Sequence, residues 1–240
     1  MQARSLFKEN FEFKETRGLI LSDSREAIAK AISSLRENRE KLERYIRKNP
    51  KFFYSLKPVE VDGDSPLVAK MMAEAAAKAG VGPMAAVAGA LADLAVREMV
   101  SVGARVAVVE NGGEVSAISE SPIDIALLAL DTTLSRKIGF RLEKFPVGVA
   151  TSSATFGHAF SLGEADSVTI FSKDACLADA AATAVCNAVK GEDCDLAVRH
   201  GIEVAMSIGD VKGVFVIFRG KVATAGEIPK LINITDEVMV

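Results

Sequence analysis

Asp179 and Thr183 lie four residues apart in Asp174-Ala-Cys-Leu-Ala-Asp179-Ala-Ala-Ala-Thr183, a stretch otherwise built mostly from small apolar residues. Residues four apart share one face of a helix. A carboxylate among alanines is costly to bury unless a cation, a metal or several donors satisfy it. The pair is therefore either a structural pair that caps neighbouring backbone or a ligand pair for a hard cation. Three other polar loci interrupt the apolar background: Gly82-Pro83, the turn Asn111-Gly112-Gly113, and the loop from Thr151 through Ser152 and Ser153 to His158. Carboxylate and hydroxyl oxygens suit Mg²⁺, which keeps waters and also binds phosphate oxygens. Such an ion would neutralise a pyrophosphate and favour attack at phosphorus. His158 offers an acid or base, although a lone loop histidine is more often only a hydrogen-bonded or exposed side chain. Walker loop, dinucleotide glycine fingerprint, nucleophile elbow and zinc motif are all missing from the sequence.

The elements that must position these residues read as follows. Residues 11–21 are one strand or two short ones, broken at Gly18. Asp23 followed by Glu26 resembles a capping box, and Ile28, Ile32, Leu35, Leu42 and Ile46 recur at helical spacing, so a long amphipathic helix covers about 24–48. Asn49-Pro50 ends it, and 51–64 is loop. Ser65-Pro66 reads as an N-cap with proline at the first helical position. Two alanine-rich helices follow, 66–79 and 83–102, the second containing Gly89. Glycine inside a helix costs about 1 kcal/mol relative to alanine, so Gly89 has a packing or ligand reason. Gly82-Pro83 leaves free amides at a helix start, a place that can hold phosphate. Asn-Gly between the apolar runs 104–110 and 114–119 marks a hairpin. Short strands are expected at 123–130, 137–143, 145–151 and 166–172. Then come the Asp179 helix, a helix at 195–206 and a last hairpin turning at Arg219-Gly220. Helices inserted among hairpins, without strict alternation, argue α+β with a mostly antiparallel sheet and packed helices. No repeat or low-complexity linker is evident, so one domain is expected over 1–240. Its parts are 1–64 with the N-terminal strand and long helix, 65–190 as the motif-bearing core, and 191–240 with the C-terminal helix and hairpin.

The chain of 240 residues can bury a sizeable core. No run reaches the roughly 18 apolar residues of a membrane span, and the start lacks a signal-peptide core; a cytoplasmic location is expected. Three cysteines, Cys176, Cys186 and Cys194, have no metal-type spacing and fit a reducing compartment. Residues 1–57 carry 14 Lys+Arg against 8 Asp+Glu, a net +6, leaving −9 for the remainder. The positive charges interleave with Glu37, Glu40 and Glu43, so a solvated helix face is expected rather than a surface for nucleic acid or an acidic partner; no nucleic-acid or membrane partner is expected.

Four segments then occur in order: Gly89-Ala-Leu-Ala-Asp93, Val106-Ala-Val-Val-Glu-Asn111-Gly112-Gly113-Glu114-Val115, Val149-Ala-Thr151-Ser152, and Ala178-Asp179-Ala-Ala-Ala-Thr183. Their order and spacing resemble the ApbE superfamily, the FAD:protein FMN transferases, over about residues 65–190. The stretch Gly80–Gly89 is similar to a shorter branch of that superfamily with UPF designations, known only as ApbE-like, and at that level the similarity runs nearly end to end. The resemblance implies the ApbE-like fold and a Mg²⁺-dependent cleavage of FAD that moves FMN onto a protein hydroxyl. It implies Asp179 and Thr183 as metal ligands, with Asp179 and His158 as catalytic positions. It implies Gly82, Ala85, Asn111, Gly112, Gly113, Glu114, Thr151, Ser152 and Ser153 as the flavin- or nucleotide-binding positions, with FAD or FMN as ligand and a protein as acceptor. The family's helix-start aspartate corresponds to Gly82, its lysine is replaced within Val87-Ala88, and its DPxTG stretch is replaced by the residues after His158.

Two main readings follow. One is a Mg²⁺-dependent flavin or nucleotide transferase or pyrophosphatase. The other is a module that binds flavin or nucleotide without chemistry, which the missing lysine and DPxTG favour. A third, an enzyme of sulfur metabolism in anaerobes, rests on Cys176 and Cys186 sharing the stripe of Asp179. The alanine-rich helices could equally serve a homo-oligomer.

Overall fold

The computed structural model describes residues 6–126, 138–153 and 163–234. Strands β1 (Phe7–Phe13) and β2 (Thr16–Ser22) form a hairpin, and helix α1 (Arg25–Lys48) follows. The hairpin turns at Lys14, with φ 54°, and not at Gly18. Gly18 lies inside β2 because a Cβ there would come within 2.0 Å of the Glu110 carbonyl on the next strand and 2.9 Å of the Phe11 ring. The expected capping box is also displaced. Ser24 is the N-cap of α1 and accepts from the Ala27 amide, while Asp23 accepts from the amides of Arg105 and Val106 at 3.1 and 3.2 Å.

After Asn49, Pro50 starts a five-residue helix, α2 (Pro50–Tyr54), in what reads as loop. Helix α3 (Leu67–Ala79) begins one residue later than its proline suggests and has no side-chain cap; Ser65 instead turns toward the Tyr45 hydroxyl at 3.4 Å. A 3-10 turn, Pro83–Ala86, leads into α4 (Val87–Ser101). The remaining elements are β3 (Val106–Asn111), β4 (Glu114–Ser119), β5 (Ile123–Ala126), β6 (Ile138–Leu142), β7 (Val147–Ser152), β8 (Ser167–Ser172), α5 (Ala175–Ala188), α6 (Cys194–Ser207), β9 (Val211–Phe218), β10 (Lys221–Gly226) and β11 (Lys230–Asn233). The last, four residues long, is too short to stand out from the sequence.

Eight strands form one antiparallel sheet in the order β1-β2-β3-β4-β7-β8-β9-β10, and β11-β6-β5 form a second. Side chains alternate across a strand, and the sheet uses both faces. Ala107 and Val109 of β3 pack with the helices, whereas Val106 and Val108 pack with Ile125 and Phe140 of the small sheet. The layers are helices, large sheet and small sheet, with an apolar core on each side of the large sheet. No single helix among the described residues is long and apolar enough to cross a membrane. The apolar pair α3 and α4 bends by 104° at its break and lines the helical core.

Candidate functional site

The site grows from two helix starts that lack enough caps of their own. The first four amides of a helix have no partner within it. Ala86, the residue before α4, has no side chain able to cap. Asp179 of α5 supplies the acceptor: its Oδ2 takes the Gly89 amide at 3.0 Å, and the Ala88 amide also donates to it. Gly89 is required by this crossing, since a Cβ would fall 2.2 Å from the Ala175 carbonyl.

The arrangement is reciprocal. At the start of α5, Asp174 caps the Leu177 amide at 2.8 Å. Asp93 of α4 takes the Ala175 amide on Oδ1 at 3.0 Å and the Cys176 amide on Oδ2 at 2.9 Å. Ser116 of β4 donates a further hydrogen bond to Asp93 at 2.7 Å. Each helix thus carries, one turn inside, the carboxylate that caps the other. The sequence echoes this in Gly89-Ala-Leu-Ala-Asp93 and Ala175-Cys-Leu-Ala-Asp179, which share Leu-Ala-Asp. The shared Leu-Ala-Asp was the signal available for Asp93.

The β3–β4 hairpin closes over the start of α4. Gly112 and Gly113 have φ of 72° and 116°, the left-handed backbone that tight hairpin turns demand and glycine adopts freely. Asn111 donates its Nδ2 to the Ala88 carbonyl at 2.9 Å. The turn amides are used within the protein: Gly112 donates to the Arg17 carbonyl at 3.0 Å and Gly113 to Glu110 Oε1 at 2.6 Å. Neither is left pointing outward for a phosphate.

Glu114 completes the cluster. Burial raises its pKa well above the usual range, and the charges of Asp179 and Glu110 raise it further. Burial also raises that of Asp179, against the lowering effect of the Gly89 and Ala88 amides. Two half-buried carboxyls whose charges interact favour holding one proton or one cation between them. Asp93 is pushed up to about 6, mainly by burial, with its hydrogen bonds from Ser116, Ala175 and Cys176 opposing the shift. No ion pair reaches Asp93, Glu114 or Asp179 among the described residues.

The other expected positions divide. Thr183 lies one turn beyond Asp179 on α5 and is likewise half-buried. Ala85 is half-buried and packs against the helical core. Gly82 faces elsewhere: a Cβ on it would sit 1.8 Å from the Ser55 carbonyl. Thr151 shares an alternation with Val147 and Val149, toward the small sheet, and its hydroxyl bonds that of Thr169 at 2.9 Å. Ser152 shares the helix-side alternation of Ala150, and Ser153 follows the end of β7. His158 lies outside the described residues.

Asp179, Glu114 and Thr183 offer hard oxygens. No group of three or more His, Cys, Asp or Glu suited to a metal occurs among the described residues. An ion here would complete its shell with water or ligand oxygens, which is the habit of Mg²⁺ and fits the donors present. Cys176 is a weak candidate for chemistry. Burial, then the charge of Asp93, raises its thiol well above the usual range, which keeps it protonated and unreactive. Two clefts of about 360 and 490 Å³ lie elsewhere, one between α6 and β10 and one beside α2. Neither is lined by Asp179 or the hairpin turn.

Comparison with known proteins bears on the fold and the family. Three-dimensional similarity extends to an ApbE protein from Thermotoga maritima, with a TM-score of 0.62, 16% identity and coverage of 92% of this chain and 97% of that one. The apo flavinyl transferase ApbE of Pseudomonas stutzeri gives 0.58 and 14%, covering 92% and 94%. At these identities the likeness is one of fold. Sequence similarity is closer to UPF0280 protein MJ1526 of Methanocaldococcus jannaschii, 41% identical over 231 residues and covering 95% of this chain and 93% of that one. UPF0280 protein MK0206 of Methanopyrus kandleri is 41% identical over 224 residues, covering 92% and 91%. A family model described as AbpE bacteria matches residues 6–231. With the fold, the ordered motifs and the full-length relatives in agreement, the chain belongs to this ApbE-like family, in its UPF0280 branch.

Proposed function

We propose that the cluster around Asp179 is a flavin- or dinucleotide-binding site that works with Mg²⁺, as a flavin or nucleotide transferase or pyrophosphatase. The observation that carries the reading is the Asp179–Glu114 pair. Burial raises the pKa of both half-buried carboxyls, the charge of Asp179 raises that of Glu114 further, and no basic side chain among the described residues pairs with either. A divalent cation supplies the missing charge. Asp179 and Glu114 would hold it, with Thr183 as a further oxygen on the same helical face. When bound, the ion would neutralise a pyrophosphate and assist attack at phosphorus. The chain's own residues set the frame: the Ala88 and Gly89 amides fix the Asp179 carboxylate, and Asn111 ties the hairpin to the same helix start through the Ala88 carbonyl. A protein hydroxyl as acceptor is the transferase form of this reading; water is the pyrophosphatase form.

The test is FAD turnover by the full chain with and without Mg²⁺. Asp179→Asn and Glu114→Gln should each abolish it while the protein remains folded by circular dichroism. Metal-independent turnover, or full activity in both variants, would refute the reading.

A second reading has its own observation. Asp179 already satisfies the start of α4 through two amides, so the acid has a structural use without any ion. The site would then hold flavin or nucleotide without chemistry. Ligand binding indifferent to Mg²⁺ and to Glu114→Gln, with no turnover, would select it.

A further inference from the structure

The end of α1 and the segment after it carry a pattern found nowhere else in the chain. From Arg44 to Val59 there are five cations and no acid. Arg44 reaches Glu40 only at 3.9 Å. Arg47, Lys48, Lys51 and Lys57 are exposed and enter no ion pair among the described residues. Within the same stretch Phe53, Tyr54 and Leu56 are 46%, 76% and 65% exposed. Scattered exposed apolar residues are ordinary, but a cluster rimmed by charge marks an interaction surface.

The knuckle is built, not frayed. Phe52 alone turns inward, 1% exposed, with its ring edge-on to Tyr45 at 5.2 Å. The next two helical positions then point away from the core. Ser55 locks the exit: its hydroxyl donates to the Lys57 carbonyl at 2.7 Å and accepts from the Lys57 amide at 3.1 Å. Its carbonyl is seated against Gly82.

We propose that this knuckle docks the protein on an anionic lipid surface. The charge is complementary: unpaired cations on long side chains respond to the diffuse negative potential of such a surface. The apolar part also fits. Tyrosine and phenylalanine settle at headgroup depth, and Leu56 adds an aliphatic group for the acyl boundary. Apolar and polybasic signals are each weak and become effective together. A single-stranded nucleic acid would need open aromatic faces for stacking. Here the two rings are packed edge-on at 4.9 Å and 88°, and Leu56 cannot stack. The inference is independent of the flavin reading, because none of these residues belongs to the Asp179 cluster.

Flotation of the full chain with phosphatidylcholine vesicles, with and without phosphatidylglycerol, tests it at low and high salt. Binding is expected only to the anionic vesicles, weakening with salt. Replacing Lys48, Lys51 or Lys57 by Gln should weaken it about fivefold for each cation. Tyr54→Ser with Leu56→Ser should reduce it at least about tenfold, with an unchanged melting curve. The proposal is overturned if the chain ignores anionic vesicles at low salt, or if it binds them equally in both variant sets. It is also overturned if the same residues instead govern binding of an oligouridylate. Loss of a dimer in the Tyr54/Leu56 variant, seen by light scattering, would assign the patch to a second copy and sink the idea too.

Discussion

Asp93 and Asp179 occupy matching places and face different surroundings. Each sits one turn inside a helix and caps the other helix. Around Asp93 the accounting is closed: Ser116 and two amides satisfy the carboxylate, which is 4% exposed. Around Asp179 it is open. The side chain is half-buried, two amides reach it, and the neighbouring group is another acid, Glu114. One geometry is thus complete at Asp93, and under the proposed function the same geometry would offer a site at Asp179. Buried polar groups are normally satisfied; Asp179 differs from Asp93 in having a second carboxyl, not a hydroxyl, as its further neighbour.

Removing Asp93 should have the largest effect. Asp93→Ala strands two amides and a hydroxyl in the core and should cost on the order of 3 kcal/mol or more, read by urea denaturation. A loss below about 1 kcal/mol would erase the contrast between the two acids. Asp179→Asn keeps one acceptor, so its stability loss should be nearer 1 kcal/mol. Mg²⁺-dependent FAD turnover should nevertheless drop by about a hundredfold or more. Retained turnover would make the two acids equivalent structural caps. Gly89→Ala tests the crossing that both caps depend on. The added Cβ meets the Ala175 carbonyl, and the repacking should cost about 1–3 kcal/mol; thermal melting would show it.

A further effect is one of pH. A carboxyl whose pKa is raised in the folded protein binds its proton more tightly there than in the unfolded chain. Stability from that group therefore falls as pH rises from its ordinary 3.8 to about 6 and is flat above. The stability gap between the natural protein and Asp93→Asn should narrow across that window and then stay constant. A gap that widens would mean that Asp93 is held ionised by a partner.

The hairpin turn at Asn111-Gly112-Gly113 and the alanine-rich helices were legible because their causes are local: positive φ at adjacent glycines and small residues at helical spacing. Asp179 and Thr183 were legible as a pair on one helix face. The use of Asp179 was less so, since the amide it caps is 90 positions away. Asp93 drew notice as part of a motif without its role, and Ser116 gave no signal, because their partnership exists only once β4, α4 and α5 are assembled. The same holds for Asp23, which the sequence assigned to its own helix and the fold assigns to the start of β3. The two faces of β7 explain why Thr151 and Ser152, adjacent in sequence, are not neighbours in the site.

The exchanged caps also bear on how the molecule comes together. Both α4 and α5 complete the hydrogen bonding of their first turns only when the other arrives, although the capping contacts span 82 and 90 positions of chain. The two helices should therefore form late and in one step, and their amides should open in one step too. Hydrogen exchange at Gly89, Ala175 and Cys176 should report a single opening event with a shared free energy, as expected of one cooperative unit. A ligand gripping Asp179 would then slow exchange at Cys176, on the far side of the crossing.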